Sequence, residues 1–253
     1  MIIVSIGMQC TVKLIKREIY LDSASLPFDY ILSSPKFVYN MLKMLLHDNI
    51  DIHELVTQHF FKCDSQASIL IKTNDYNDDN YRKFFKLEHY ITNTSGTALY
   101  NTKYDVIFPH DHGGNEDIKK YVRRFEKLKY LILNNHVKLC FVYASQSSLT
   151  DGNYKIDGRE IISNIYVYLS KIYKLISKYN NNFEMIVFDC INNENVNNLN
   201  PAIKLYKLST LNSYTTVIKS IINLDMKTGI FDLIDNTAYN KTVYSIFNKI
   251  IDK

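Results

Sequence analysis

Cysteine is scarce in this sequence, with four residues among 253. So few cysteines in so long a chain argue against the disulfide-stapled scaffold of small secreted proteins. Cys140 and Cys190 lie inside apolar runs, where a free thiol packs as a small hydrophobic group. The cysteine content therefore predicts a protein of a reducing compartment, and we expect it in the cytoplasm.

Glycine is also rare, with seven residues, and the glycine-rich loops that cradle phosphates are missing. The sequence contains no GxGxxG, no phosphate-binding glycine-lysine loop, no GxSxG elbow and no HExxH zinc motif. His110 and His112 flank Asp111, but no second cluster of ligands at a recognisable spacing completes a metal site. We therefore predict that the protein uses no cofactor and no metal.

Long apolar runs are missing as well, since no stretch approaches the roughly 20 apolar residues that span a bilayer. The N-terminal MIIVSIGMQC is apolar, but it lacks the basic start and the long apolar core of a signal peptide. The net charge of +4 is far from the concentrated positive charge of a nucleic-acid binder. We expect neither a membrane nor a nucleic acid as partner, and the sequence leaves the oligomeric state open.

Short uncharged runs rich in β-branched residues alternate with amphipathic segments along much of the chain. We predict strands at residues 2–6, 68–72, 104–108, 137–144, 184–190 and 203–208. Helices are predicted at residues 11–19, 36–46, 81–90, 116–133, 160–179, 214–222 and 239–251, and residues 147–158 are predicted to form a polar loop.

This alternation is typical of an α/β fold, with a mostly parallel sheet and helices on both faces. The predicted architecture is a three-layer sandwich of the flavodoxin-like or SGNH-hydrolase-like kind. We find no linker and no internal repeat, so we predict one domain over residues 1–253. Residues 50–103 fit the alternation least well and are predicted to form an insertion in that domain.

Polar and nucleophilic residues follow several predicted strands at their carboxyl ends, where the functional crevice of a parallel sheet lies. Gln9 and Cys10 follow the first strand, His110 and Asp111 follow strand 104–108, and Ser145 follows strand 137–144. If these strands are parallel, Cys10 and His110 lie at the same edge of the sheet.

Cys10 stands where the first strand turns into the predicted helix 11–19. Backbone N–H groups and the helix dipole at such a position lower the pKa of a thiol. A nearby imidazole would complete an activated nucleophile, and the same N–H groups could bind an oxyanion. Gln9 and Ser145 are candidates for oxyanion or substrate binding. The alternative is that Cys10 packs under the helix as an ordinary buried thiol.

Three short motifs occur in order: Gly7-Met8-Gln9-Cys10, Leu26-Pro27-Phe28-Asp29-Tyr30 and Phe108-Pro109-His110-Asp111. Together, over residues 1–145, they resemble the papain-like cysteine peptidase family, a domain of unknown function found in bacteria and in large DNA viruses. The resemblance implies that Cys10 is the nucleophile and His110 the general base, with Asp29 or Asp111 orienting the imidazole.

The second motif also has a purely structural interpretation. Phe28 and Tyr30 would anchor the loop in the core, and Asp29 would cap a turn. The sequence departs from papain-type enzymes in two ways. Gln9 is directly adjacent to Cys10, whereas the oxyanion glutamine of those enzymes lies several residues before the cysteine. The α/β pattern also differs from their helical and β-barrel halves. A thiol-dependent hydrolase or transferase is therefore better predicted than a protease in particular.

Three functions compete. The first is a cysteine-dependent hydrolase, a peptidase or an acyl hydrolase or transferase, that acts on a peptide or acyl substrate through Cys10 and His110. The second is a non-catalytic α/β binding protein, such as a viral or host-interaction module. The third is a weak nucleic-acid binder that uses the basic residues of predicted helix 116–133, and it ranks last because acidic residues dilute that charge.

Overall fold

The computed structural model describes residues 2–6, 25–31, 33–61, 68–72, 97–101, 104, 106–108, 110–111, 113–144, 155–156, 159–160, 165–189 and 194–207. The predicted helices at residues 11–19, 81–90, 214–222 and 239–251 lie outside these ranges.

The helices are α1 Pro35–Leu46, α2 Ile52–Glu54, α3 Asn115–Leu133 and α4 Ile165–Ile176, with a π-helix at Leu55–Phe61 and a 3-10 helix at Glu194–Asn198. The strands are β1 Ile2–Ser5, β2 Ser68–Lys72, β3 Thr97–Asn101, β4 Val106–Phe108, β5 Leu139–Ala144, β6 Lys155–Ile156, β7 Arg159–Glu160, β8 Phe183–Asp189 and β9 Lys204–Lys207. Strands β6 and β7 form a short antiparallel hairpin at the point where a polar loop and the first residue of a helix were predicted, and helix α4 is described over Ile165–Ile176. Within the described ranges, none of the helices is both long enough and apolar enough to cross a membrane.

The largest sheet has four strands in the order β1-β5-β8-β9, and every pairing in it is parallel. Val4, Phe141 and Val187 on three of these strands are fully buried, as expected for a parallel sheet whose strands are apolar. The protein therefore has the predicted α/β fold with a mostly parallel sheet. Because β1 and β5 are parallel neighbours, the chain leaves both strands at the same edge of this sheet.

The predicted place of strand β4 in the parallel sheet is wrong. β4 pairs antiparallel with β3, and β3 pairs antiparallel with β2, in a separate three-stranded sheet. Only residues 102–105 separate β3 from β4, which is enough for a hairpin but too short for the crossover that a parallel pair requires. The argument that Cys10 and His110 share an edge of the parallel sheet therefore fails.

Helix α1 begins where its sequence predicts. The Ser34 side chain accepts a hydrogen bond from the Phe37 backbone N–H at 3.2 Å, and Pro35 occupies the first turn, where its missing N–H costs nothing. The apolar face of α1 is buried, and its Tyr39 ring packs against Tyr168 of α4 with the Lys171 ammonium over both rings. These contacts join α1 to α4.

The centre of the core is a cluster of aromatic rings around Phe60 of the π-helix. Its ring centroid lies 4.7–5.7 Å from those of Phe37, Phe61, Phe108, Tyr121 and Phe125. These residues belong to one buried cluster that runs from Val4 on β1 to Ile203 before β9. The predicted insertion at residues 50–103 therefore supplies part of the core, through the buried residues of the π-helix.

Candidate active site

The structure brings together two of the three sequence motifs. The Tyr30 ring lies edge-on to the imidazole of His110, with centroids 6.2 Å apart and planes at 87°. Tyr30 is half-buried and His110 is exposed. The loop of the second motif therefore supplies one wall against which the imidazole of the third motif rests.

The loop that carries Tyr30 is a tight turn held by its own side chains. The Asp29 carboxylate accepts a hydrogen bond from the Leu26 backbone N–H at 2.7 Å, and the Asp29 N–H donates to the Leu26 carbonyl at 3.3 Å. Phe28 is fully buried between Phe37 and Phe125, with both ring pairs edge-to-face. Asp29 thus caps the turn and Phe28 anchors it, as the structural interpretation of this motif predicts.

The loop that carries His110 is fastened through the next residue, Asp111. The Asp111 side chain is only 5% exposed, and its two carboxylate oxygens accept hydrogen bonds from Lys120 Nζ and, at 2.7 Å, from the Tyr121 hydroxyl. Both donors stand on α3. Asp111 therefore ties the segment after β4 to the first half of that helix.

A second set of hydrogen bonds, centred on Asp117, lies beside those of Asp111. Lys120 also donates to Asp117 at 2.7 Å, and the other oxygen of Asp117 accepts a hydrogen bond from the Gly113 backbone N–H at 3.2 Å. Asp117 lies in the first turn of α3, where a carboxylate is also favoured by the helix dipole. The loop between β4 and α3 is thus held against that helix at two points, Asp111 and Gly113.

The pKa shifts of Tyr121 and Lys120 favour the protonated forms that donate these hydrogen bonds. Burial raises the pKa of Tyr121 well above its ordinary value, and the Asp111 charge raises it further, so the hydroxyl remains a donor. Burial alone would lower the pKa of Lys120, but its hydrogen bonds to Asp111 and Asp117 outweigh that effect and the pKa is raised. Tyr121 also carries the Arg124 guanidinium over its ring, 4.7 Å from the centroid.

Among the described residues of this loop, Gly113 has the backbone conformation that favours glycine. Its φ is +73°, and a Cβ at this position would meet Leu99 and Phe61 atoms at 3.4–3.5 Å, which is ordinary contact. Gly113→Ala is therefore expected to lower the free energy of unfolding by about 1–2 kcal/mol, the cost of a left-handed conformation for an L-residue. The measurement is urea-induced unfolding followed by circular dichroism.

Gly114→Ala is the matched control for that substitution. Gly114 has a φ of −69° and open space where a Cβ would be placed, so its substitution loses only the preference of the N-cap of α3 for glycine over alanine, and we expect a loss of about 0.5 kcal/mol. Equal losses in the two variants would show that the backbone of Gly113 is not strained by a side chain.

The other predicted site residues divide into two groups. Gln9, Cys10 and Ser145 lie outside the described residues, so their predicted roles stay predictions. Asp29 and Asp111 are described, and in the described part of the chain neither is hydrogen-bonded to the His110 imidazole. Catalytic hydrogen bonds are often long before substrate binds, so the choice of an orienting acid also stays a prediction.

In the ranges that the structure describes, no group of three or more His, Cys, Asp and Glu side chains could hold a metal ion. His112, which flanks Asp111 on the other side, lies outside those ranges.

The sequence alone did not predict Lys120 and Tyr121 as partners of Asp111. Their signal is weak because Lys120 belongs to a helix rich in basic residues and Tyr121 is one of 20 tyrosines. The spacing of Asp111 from these donors, 9 and 10 residues, crosses from a loop into a helix and follows no period. Only the packing of that loop on α3 makes them partners.

Comparisons with known proteins find no relative of this chain. No protein-family model, curated protein or solved structure matches the chain. The likeness to papain-like cysteine peptidases therefore rests on the three sequence motifs, two of which meet at Tyr30 and His110.

Proposed function

We propose that the protein is a cysteine-dependent hydrolase, a peptidase or an acyl hydrolase or transferase, with Cys10 as nucleophile and His110 as general base. The observation that supports this proposal is the contact of Tyr30 with His110, which joins two motifs that are distant in sequence. A general base must reach both its nucleophile and its substrate. The His110 imidazole is exposed, on a loop that is fastened at Asp111, and is therefore open to a substrate.

The proposed reaction begins when His110 accepts the thiol proton and Cys10 Sγ attacks the carbonyl carbon of a peptide or acyl substrate. The tetrahedral oxyanion collapses to a thioester as His110 returns the proton to the leaving amine or alcohol. Water then attacks the thioester, its proton passes to His110, and release of the carboxylic acid restores the thiol. Gln9 and Ser145 are the proposed oxyanion or substrate-binding groups, and the reaction needs neither a metal nor a cofactor.

The same proposal includes the compartment and the partners. A thiol enzyme needs reduced cysteine, which favours the cytoplasm. We propose no nucleic-acid partner, because acidic residues dilute the charge of α3 and three of its basic side chains have other contacts. Lys119 pairs with Glu116, Lys120 with Asp111 and Asp117, and Lys129 with Asn49.

The test is alkylation of the folded protein with iodoacetamide at a pH of about 6, where an ordinary thiol is almost entirely protonated. Cys10 is expected to react at least about tenfold faster than Cys63, because each unit by which the pKa falls gives tenfold more thiolate. Cys140 is an internal control, since burial and then the Glu184 charge raise its pKa to about 12. Peptide mapping by mass spectrometry reports each rate separately.

Two histidine variants make the experiment specific. His110→Ala is expected to slow the reaction of Cys10 about tenfold, because the imidazolium partner of the thiolate is lost. His136→Ala removes another exposed imidazole, one that follows α3, and is expected to leave the rate unchanged. If Cys10 reacts no faster than Cys63, or if His110→Ala has no effect, the proposed function is refuted.

A non-catalytic α/β binding protein is the second candidate. The bonds of Asp111 favour it, because a carboxylate that already accepts from Lys120 and Tyr121 is placed to hold a loop. The alkylation experiment separates the two candidates, since a binding protein has no reason to activate Cys10.

A further inference from the structure

The Tyr121 hydroxyl makes a bond that packing does not require. The Tyr121 ring is fully buried among Phe60, Phe61 and Phe108, and a phenylalanine would fill the same space. Yet its hydroxyl donates at 2.7 Å to the buried carboxylate of Asp111. The bond therefore connects the aromatic core to the residue that directly follows His110.

The chain of contacts continues to the imidazole. Asp111 is buried and held by two donors, whereas its neighbour His110 is exposed and is touched on one side by the Tyr30 ring. Tyr30 belongs to a turn that Phe28 anchors in the same aromatic core. The position of the His110 backbone and the position of the Tyr30 ring beside the imidazole therefore both depend on the same aromatic core.

We propose that Tyr121, together with Lys120, is a positioning residue for His110, which acts through Asp111 to hold the imidazole against Tyr30. The proposal rests on the proposed function for its catalytic meaning. Its structural part does not depend on catalysis, because it says only that the His110 ring lies against Tyr30 when the hydrogen bonds of Asp111 are intact. Loss of the Tyr121 hydroxyl should remove one of the two hydrogen bonds that hold Asp111, while a phenylalanine ring keeps the packing of the core.

The first arm of the test observes His110 directly by NMR of its Cε1–H group. The edge-on Tyr30 ring displaces this resonance through its ring current, and Tyr30→Leu defines the position without the ring. Tyr121→Phe is expected to move the resonance toward the Tyr30→Leu position. Tyr130→Phe is the matched control, since it removes a hydroxyl from an exposed tyrosine of the same helix.

The second arm measures alkylation of Cys10 at a pH of about 6. Tyr121→Phe is expected to slow it in the same direction as His110→Ala but by less, because an imidazolium displaced from Cys10 stabilises the thiolate less well, whereas Tyr130→Phe should not. Lys120→Met removes the other donor to Asp111 and is expected to act in the same direction in both arms. It decides the question if Tyr121→Phe does not fold.

The two arms fail in different ways. An unchanged His110 resonance in Tyr121→Phe and Lys120→Met overturns the positioning role, whatever Cys10 does. A moved resonance with no activated Cys10 in the unaltered protein supports the positioning role and refutes the proposed function. A moved resonance with normal, His110-dependent alkylation of Cys10 shows that the proposed function stands and that positioning by Tyr121 does not serve it.

Discussion

Phe60→Ala is expected to lower the free energy of unfolding by about 3–5 kcal/mol, the range for truncation of a buried phenylalanine. The Phe60 ring is fully buried at the centre of the aromatic cluster. It contacts rings from α1, the π-helix, β4 and α3, so no single neighbour can move to fill the space. The loss combines the lost burial with the cavity that remains.

Urea-induced unfolding followed by circular dichroism measures this loss, and two variants serve as controls. Phe60→Leu keeps an apolar side chain in the site and is expected to cost less than half as much as the alanine variant. Tyr130→Ala truncates an aromatic side chain that is 64% exposed, and its change should stay within about 0.5 kcal/mol. A Phe60→Ala loss as small as that of Tyr130→Ala would contradict the arrangement of the core.

Asp111→Ala is expected to cost about 2–3 kcal/mol, because it leaves the buried Tyr121 hydroxyl without its acceptor. Lys120 loses less, since its side chain is 30% exposed and keeps its bond to Asp117. Asp48→Ala is the matched control at a surface pair with Lys43, where the Lys43 and Asp48 side chains are 44% and 33% exposed. Such pairs contribute about 0–1 kcal/mol.

A double-mutant cycle assigns the loss to the bond itself. If Asp111 and Tyr121 interact as the structure describes, Asp111→Ala combined with Tyr121→Phe should cost less than the sum of the two single changes. The expected difference is more than about 0.5 kcal/mol, the limit within which independent sites add. Additive losses would mean that the 2.7 Å bond contributes nothing to stability.

Local patterns predicted the fold where the segment itself holds the information. Ser34 before Pro35 marks the start of α1, and acids followed by bases mark the direction of α3. The apolar runs of β1, β5, β8 and β9 predicted strands, and the helices between them predicted a parallel sheet. Strand β4 was recognised as a strand but assigned to the wrong sheet, because its three residues carry no record of their partner.

The candidate site was predicted in part. His110 and the loop of residues 26–30 were singled out by motif, and the structure brings Tyr30 of that loop to the imidazole. The geometric reason for pairing His110 with Cys10 was a shared edge of the parallel sheet, and β4 does not belong to that sheet. The observed connection runs through the aromatic core and Asp111, which no spacing rule describes.

The sequence by itself determined the α/β class, the strands of the parallel sheet, the start of α1 and the turn capped by Asp29, because each depends on residues a few positions apart. Only the tertiary structure decided which sheet β4 joins, that Phe60 of a predicted insertion sits at the centre of the core, and that Tyr121 and Lys120 hold the residue beside His110. Those three results depend on contacts between segments far apart in the chain. Such contacts are selected by the shape and volume of the whole core, and the period of a single helix or strand does not encode them.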